Sequence, residues 1–299
     1  MPATLMPIRR RQFLAGTFAA GLLTAFSRRN AFAEGSKSDH WVFLSDTHVP
    51  GDPKKVLNGK NPNDHFRRVR EEVLQLTDKP QGIIVTGDFA FLQGQPEDYK
   101  NLKTQVTPYL DAEIPVHVSL GNHDHLDNFY GAFPEFSKKT PLVAGENITV
   151  LETPNCNLFL LDSLYQTDVV SGFLGIEQLR WLKKELTARQ NKPAILFAHH
   201  NLDNSEQTLM DREELWAVVK PQKQVKAYIY GHTHVYRQSV RDDVHLINLP
   251  ALGWEFQNGK QPLGWSDAFL SRDGMELTLH TLDKTRSDNG HVRKFTWLR

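Results

Sequence analysis

Short runs of apolar residues recur along the chain, separated by polar or glycine-bearing stretches. Continuous apolar runs of this length read as strands buried on both faces. Trp41–Ser45, Gly82–Thr86, Val116–Leu120, Asn157–Leu161, Ala194–Ala198 and Val225–Tyr230 have this character. Between them the period changes: Phe66, Val69, Val73 and Leu76 recur at helical spacing. Ile176, Leu179, Leu182 and Leu186 do the same on a segment that Pro193 terminates. Beyond Val235 the pattern returns to strands, over Val244–Leu249, Ala268–Leu270 and Met275–Leu282. Strand–helix alternation followed by a run of strands predicts an α/β fold with two stacked mixed β-sheets flanked by helices. Lys54–Asn63 is polar enough to predict an exposed loop. No repeat, low-complexity block or linker divides residues 34–299, which predicts a single domain there.

Residues 1–33 stand apart. They hold Arg9, Arg10, Arg11, Arg28 and Arg29 and no acidic residue, around a weakly apolar run from Phe13 to Phe26. A cationic start, an apolar stretch and the small residues of Ala31-Phe32-Ala33 predict a secretory signal cleaved after Ala33. The string Arg9-Arg10-Arg11-Gln12-Phe13-Leu14 resembles a twin-arginine export signal. That resemblance implies a bacterial periplasmic or secreted protein whose precursor meets the twin-arginine translocation machinery. The apolar run is shorter than the ~20 residues of a spanning helix, so no stable membrane anchor is expected.

Charge narrows the function further. Lys plus Arg and Asp plus Glu are each 35, but removing residues 1–33 leaves 30 basic against 35 acidic residues. A mildly acidic body lacks the basic face that sequence-independent nucleic-acid binding needs, so no nucleic-acid partner is expected. Cys156 is the only cysteine, which excludes an internal disulfide and a cysteine-based zinc site. With 39% apolar residues the chain can fill a core. The thirteen histidines are the unusual feature.

Their positions carry the chemistry. Five apolar strands end in polar motifs: Ser45-Asp46-Thr47-His48, Gly87-Asp88, Gly121-Asn122-His123-Asp124, His199-His200 and Gly231-His232-Thr233-His234. In open α/β sheets, ligands gather outside the carboxyl ends of the strands. Each motif alone is common, but the five in this order make a crater of carboxylate, amide and imidazole groups. Such donors suit Mn, Fe, Zn or Co and lack the all-oxygen character of a calcium site.

The set resembles the calcineurin-like metallophosphoesterase family, whose pattern is Asp-x-His, Gly-Asp, Gly-Asn-His-Asp/Glu, His and Gly-His-x-His. It is nearest the bacterial cyclic-nucleotide phosphodiesterase and glycerophosphodiesterase branch. The resemblance implies a four-layer α/β/β/α sandwich and two divalent transition-metal ions. It implies that Asp46, His48 and His234 hold one ion, that Asn122, His199 and His232 hold the other, and that Asp88 bridges them. His123 would face the substrate as general acid, with Asp124 orienting it. The chain departs from relatives in two places. Phe91 stands where purple acid phosphatases carry a tyrosine ligand, and Asn201-Leu202 follows His199-His200 where many relatives have a proline. The second departure leaves His200 as an alternative ligand to His199.

The implied reaction is in-line attack on phosphorus by a metal-bridging hydroxide, with His123 protonating the leaving alkoxide. No covalent phospho-enzyme is needed. The branch resemblance implies a small phosphodiester substrate, and the lack of an evident arginine pair to clamp a dianionic monoester points the same way. A phosphomonoesterase with the same site and a non-catalytic binding scaffold of the same fold are the alternatives. His200, Tyr236, Trp254, Phe256 and Trp265 are further candidates for lining a substrate cleft, with core packing the competing explanation for the aromatic residues.

Overall fold

The computed structural model describes Thr4–Leu5 and residues 39–134, 142–257 and 259–299. The predicted export signal therefore lies outside the described residues, apart from Thr4–Leu5. In chain order the strands begin with β1 (Thr4–Leu5), β2 (Asp39–Leu44), β3 (Gly82–Thr86) and β4 (Val116–Ser119). They continue with β5 (Thr149–Glu152), β6 (Asn157–Leu160), β7 (Ala194–Phe197) and β8 (Val225–Tyr230). The last five are β9 (Arg237–Arg241), β10 (Val244–Asn248), β11 (Gly264–Leu270), β12 (Gly274–Thr281) and β13 (Val292–Thr296). The helices are α1 (Pro62–Leu74), α2 (Pro96–Asp111), α3 (Leu126–Ala132), α4 (Gly175–Ala188) and α5 (Arg212–Val219).

Two mixed sheets result, ordered β1-β4-β3-β2-β11-β12-β13 and β5-β6-β7-β8-β10-β9. Strands β2, β3 and β4 run parallel, as do β6, β7, β8 and β10. The near-continuous apolar runs follow from burial on both faces. Along β2, Trp41 and Phe43 point between the sheets, where Phe43 meets Phe197 edge-to-face at 5.1 Å. Val42 and Leu44 point outward against Phe66, Val69, Leu102 and Val106 of α1 and α2. On the far side, Phe159, Leu196 and Tyr228 pack under Leu179, Leu182 and Leu186 of α4 and Trp216 of α5. The four-layer arrangement is the expected one.

The differences are local. Helix α1 starts at Pro62, inside the expected loop, because Asn61 caps it by accepting the Asp64 N–H at 3.1 Å. Leu76 lies beyond the end of α1, and Ile176 is exposed, so the apolar stripe of α4 begins at Leu179. No helix among the described residues is long and apolar enough to cross a membrane.

Candidate metal centre

The parallel strands of both sheets end on one side of the sandwich, and the five polar motifs converge there. Backbone pairing continues past the strand ends and fixes their loops: His48 N–H donates to the Asp88 carbonyl at 2.9 Å and Gly231 N–H to the His199 carbonyl at 3.1 Å. Gly121 and Gly231 are needed for close approach. A Cβ at Gly121 would run into the Asp88 carboxylate, and one at Gly231 into Ser45 Oγ and the Asp46 carboxylate.

The side chains meet through their acceptor atoms. His234 Nε2 lies 3.3 Å from Asp46 Oδ1 and 3.2 Å from His48 Nε2. Asp88 Oδ2 stands between two groups, 3.6 Å from His48 Nε2 and 3.2 Å from His199 Nε2. His199 Nε2 is also 3.2 Å from Asn122 Oδ1 and 3.2 Å from His232 Nδ1. The opposite ring nitrogens face carbonyl oxygens, which only accept: Trp254 for His234 Nδ1 (2.6 Å), Thr86 for His199 Nδ1 (2.9 Å) and Gln207 for His232 Nε2 (3.0 Å). A ring nitrogen that donates outward leaves its partner nitrogen with a lone pair. Imidazole nitrogens, two carboxylates and an amide oxygen therefore converge on one another, an arrangement that favours positive charge among them, and the N/O donor set suits a divalent transition metal.

Electrostatics within the protein agree. Burial alone would raise the Asp46 and Asp88 carboxyls, yet the neighbouring imidazoles, His234 beside Asp46 and His199 beside Asp88, hold both below the ordinary range. Burial pushes His48 well below the usual histidine value. Burial and the His199 charge push His232 down to about 4. His199 is the exception: burial opposes its charge, but Asp88 and then Asp46 raise it to about 9. Without metal, a proton on His199 stands in for part of the missing positive charge.

Above these groups opens a cleft of about 520 Å³, lined in part by Asp88, Asn122, His123, His232, His234 and Trp254. Asp46, His48 and His199 are its buried floor. Trp254 stacks on His48 with ring centroids 3.8 Å apart. The His123 ring turns its Nδ1 to the Leu92 carbonyl, leaving Nε2 for the cleft, and Asp168 Oδ1 is 4.0 Å from Nδ1.

Four expectations need correction. Asp124 does not hold the His123 ring. Its buried carboxylate accepts the backbone N–H groups of Phe89, Ala90 and Gly121 and the Tyr99 hydroxyl, tying the Asp88 loop to the Asn122 loop. His200 does not line the cleft. Although its ring is close to those of His199 and His232, its Nδ1 is bonded to Ser163 Oγ at 2.8 Å and its Nε2 to the Val170 carbonyl at 3.1 Å. Tyr236 sits away from the cleft, half-buried beneath the Arg293 guanidinium. Trp265 belongs to the core, where it stacks on His280 at 4.2 Å and donates to Glu72 at 3.0 Å. The motifs also missed the carbonyls of Thr86, Leu92, Gln207 and Trp254. Backbone groups carry no residue-type signal, and only the fold reveals them.

The sequence pattern of the calcineurin-like phosphoesterases matches residues 41–236, the span holding every one of these metal-facing side chains. The chain belongs to the calcineurin-like phosphoesterase family. Like other calcineurin-like phosphoesterases it is a metal-dependent hydrolase of phosphoric esters. A 3',5'-cyclic-nucleotide phosphodiesterase of Nostoc sp. (strain PCC 7120) is 28% identical over 225 residues, covering 72% of this chain and 79% of that protein. A probable glycerophosphodiester phosphodiesterase of Arcobacter nitrofigilis is 30% identical over 203 residues, covering 64% and 71%. A dimetal phosphatase from Danio rerio shares the fold, with a TM-score of 0.68 at 14% identity over 87% of this chain and 99% of that one.

Proposed function

We propose that this calcineurin-like phosphoesterase hydrolyses small phosphodiesters with two divalent ions, and that it works outside the cytoplasm after twin-arginine export. Asp46, His48 and His234 would hold one ion, Asn122, His199 and His232 the other, and Asp88 would serve both. The observation that carries this is the placement of Asp88 Oδ2 between His48 and His199, with acceptor atoms facing it from both sides. When bound, the ions supply Lewis acidity, acidifying water and neutralising charge on the phosphoryl oxygens.

The protein's own groups do the rest. The buried floor of Asp46, His48 and His199 keeps bulk water from beneath the reacting phosphorus. His123, fixed through the Leu92 carbonyl, presents Nε2 to the cleft and, when doubly protonated, gives its Nε2 proton to the leaving alkoxide, a role typically worth ~10²–10⁴ in rate. Among the described residues no lysine or arginine lines the cleft, so a second negative charge on a monoester would find no fixed cation from them. The names of the bacterial relatives point the same way. A metal-free scaffold is disfavoured because every ligand type is retained and the lone pairs converge.

The test is metal analysis of the purified protein, followed by hydrolysis of bis(p-nitrophenyl) phosphate and p-nitrophenyl phosphate with added Mn²⁺, Zn²⁺ or Fe²⁺. The diester should be preferred in kcat/KM. A strong monoester preference would overturn the diester assignment, and no metal with no hydrolysis would revive the scaffold. Replacing Arg10 and Arg11, the pair that directly precedes Gln12-Phe13-Leu14, by lysine should retain the precursor in the cytoplasm, and unchanged export would exclude the twin-arginine route.

A further inference from the structure

Among the described residues, Phe256 is the large aromatic of the cleft that keeps its ring in solvent, at 68% exposed. Its centroid lies 4.6 Å from the His234 ring, so it stands directly beside the metal-facing groups. Trp254, two residues earlier, is 3% exposed and spends its face on His48, so it offers no platform. The exposure of Phe256 is not that of a loose loop. The intervening Glu255 is buried and accepts the N–H groups of Gln257 and Gly259, which braces the turn carrying the ring. What sets Phe256 apart from other exposed apolar residues is its place: a braced ring at the cleft, beside His234, has most of its surface available to a bound group. The cleft lining otherwise includes Asp203, Ser205 and Gln207, with Gln207 holding the His232 ring through its carbonyl, and aliphatic Val170, which offers no flat face. A flat apolar group in this cleft therefore has its best surface on the His234 side.

We infer that Phe256 determines specificity by stacking on a planar aromatic substituent of the ester, making aryl- or nucleobase-bearing diesters the substrate class. The inference rests on the diester assignment of the same cleft. Phe256 packs on the His234 ring and carries no group that could donate, accept or ligate, so its effect is on binding and not on the chemical step.

The experiment uses Mn²⁺-loaded wild type, Phe256→Ala and Phe256→Tyr. It measures KM and kcat for bis(p-nitrophenyl) phosphate and methyl p-nitrophenyl phosphate, and the inhibition constant of dimethyl phosphate. Loss of one stacking partner should raise KM for at least one aryl ester about two- to tenfold with little change in kcat. The inhibition constant of dimethyl phosphate should stay constant, and Phe256→Tyr should restore KM. Equal changes for the aryl and methyl compounds, or no change in any, would overturn the inference. If wild type hydrolyses neither diester, the diester assignment fails by itself. The same comparison between p-nitrophenyl phosphate and methyl phosphate then decides the role of Phe256 independently.

Discussion

With His199 as a ligand, as proposed, affinity for Mn²⁺ should rise about fiftyfold between pH 7 and pH 9, because the ion would have to displace a proton from that ring. Asp88 and Asp46 raise that imidazole to about 9 in the metal-free protein, against the burial that opposes its charge. A histidine ligates only through a deprotonated nitrogen, so the apparent constant scales with the neutral fraction of the ring. That fraction is about 1% at pH 7 and half at pH 9, a ratio of about 50, or about 2.3 kcal/mol. The other groups add little over this range: His232 is already neutral, being held down to about 4, and both carboxylates are already ionised. Calorimetric titration in buffers of different ionisation enthalpy should count about one proton released per protein at pH 7 and about half at pH 9. The same shift sets the stability of the metal-free protein. A histidine raised above its ordinary 6.5 contributes fully below that value and loses its contribution as pH rises through about 9. Thermal stability of the metal-free form should therefore fall by about 1–3 kcal/mol between pH 7 and 9.5, and the Mn²⁺-loaded form should not show this loss. Release of no proton at pH 7, or an affinity flat from pH 7 to 9, would refute the reasoning.

His123→Ala should keep its metal and lose ~10²–10⁴ in turnover on a methyl ester, with a smaller loss on a nitrophenyl ester whose leaving group needs no proton. Equal losses on both would remove His123 as general acid. Trp265→Ala should destabilise the fold by about 3–5 kcal/mol, read by denaturant titration, with KM unchanged well below the melting temperature. A raised KM would place Trp265 functionally in the cleft after all. Burial, with Asp162 and Asp211 nearby, raises the Glu146 carboxyl above its ordinary value. A raised carboxyl favours the fold at low pH and costs stability as pH climbs through the raised value. Wild type should lose about 1–2 kcal/mol more than Glu146→Gln between pH 5 and 8.5, measured by melting temperature, and parallel curves would argue against it.

How much of this was legible before the structure depends on which face a residue turns to what. The central strands announced themselves because both faces are buried, as Trp41 and Phe43 against Val42 and Leu44 show. Strands β9 (Arg-Gln-Ser-Val-Arg) and β13 (Val-Arg-Lys-Phe-Thr) did not, because they form sheet edges where charged residues face water. Helix α2 left a usable signal in Tyr99, Leu102, Val106 and Tyr109, all buried, that the reading of the sequence passed over. The Asp, Asn and His side chains that converge at the strand ends were legible as residue types. Their supports were not: Asp124 was placed beside His123 in sequence and beside Phe89 and Ala90 in space. Trp254 and Trp265 look alike in sequence, yet one covers His48 and the other fills the core under α1.

The backbone of the site explains why local conformational preference is a poor guide there. Asp46, His48, Asp88, His232 and His234 all adopt left-handed conformations, with φ between 44 and 69°. Side chains other than glycine occupy that region at a cost of roughly 1–2 kcal/mol each, so the five together cost an amount comparable to the whole net stability of an ordinary domain. Glycine at these positions would remove the strain and also remove the donor atoms. Aspartate and histidine are among the residues that tolerate the region best, and they are also ligand types. Backbone bonds from His48 to Asp88 and from His232 to the Asp46 carboxylate hold the strained turns in place. Leu92 has no such excuse in its side chain, yet it sits at φ 36°, the conformation that presents its carbonyl to His123. Glu113, Asp242 and Asp243 also have positive φ, but in ordinary turns between elements; at Asp46, His48, Asp88, Leu92, His232 and His234 the same conformation turns an atom toward the site, where the strain is held for that purpose.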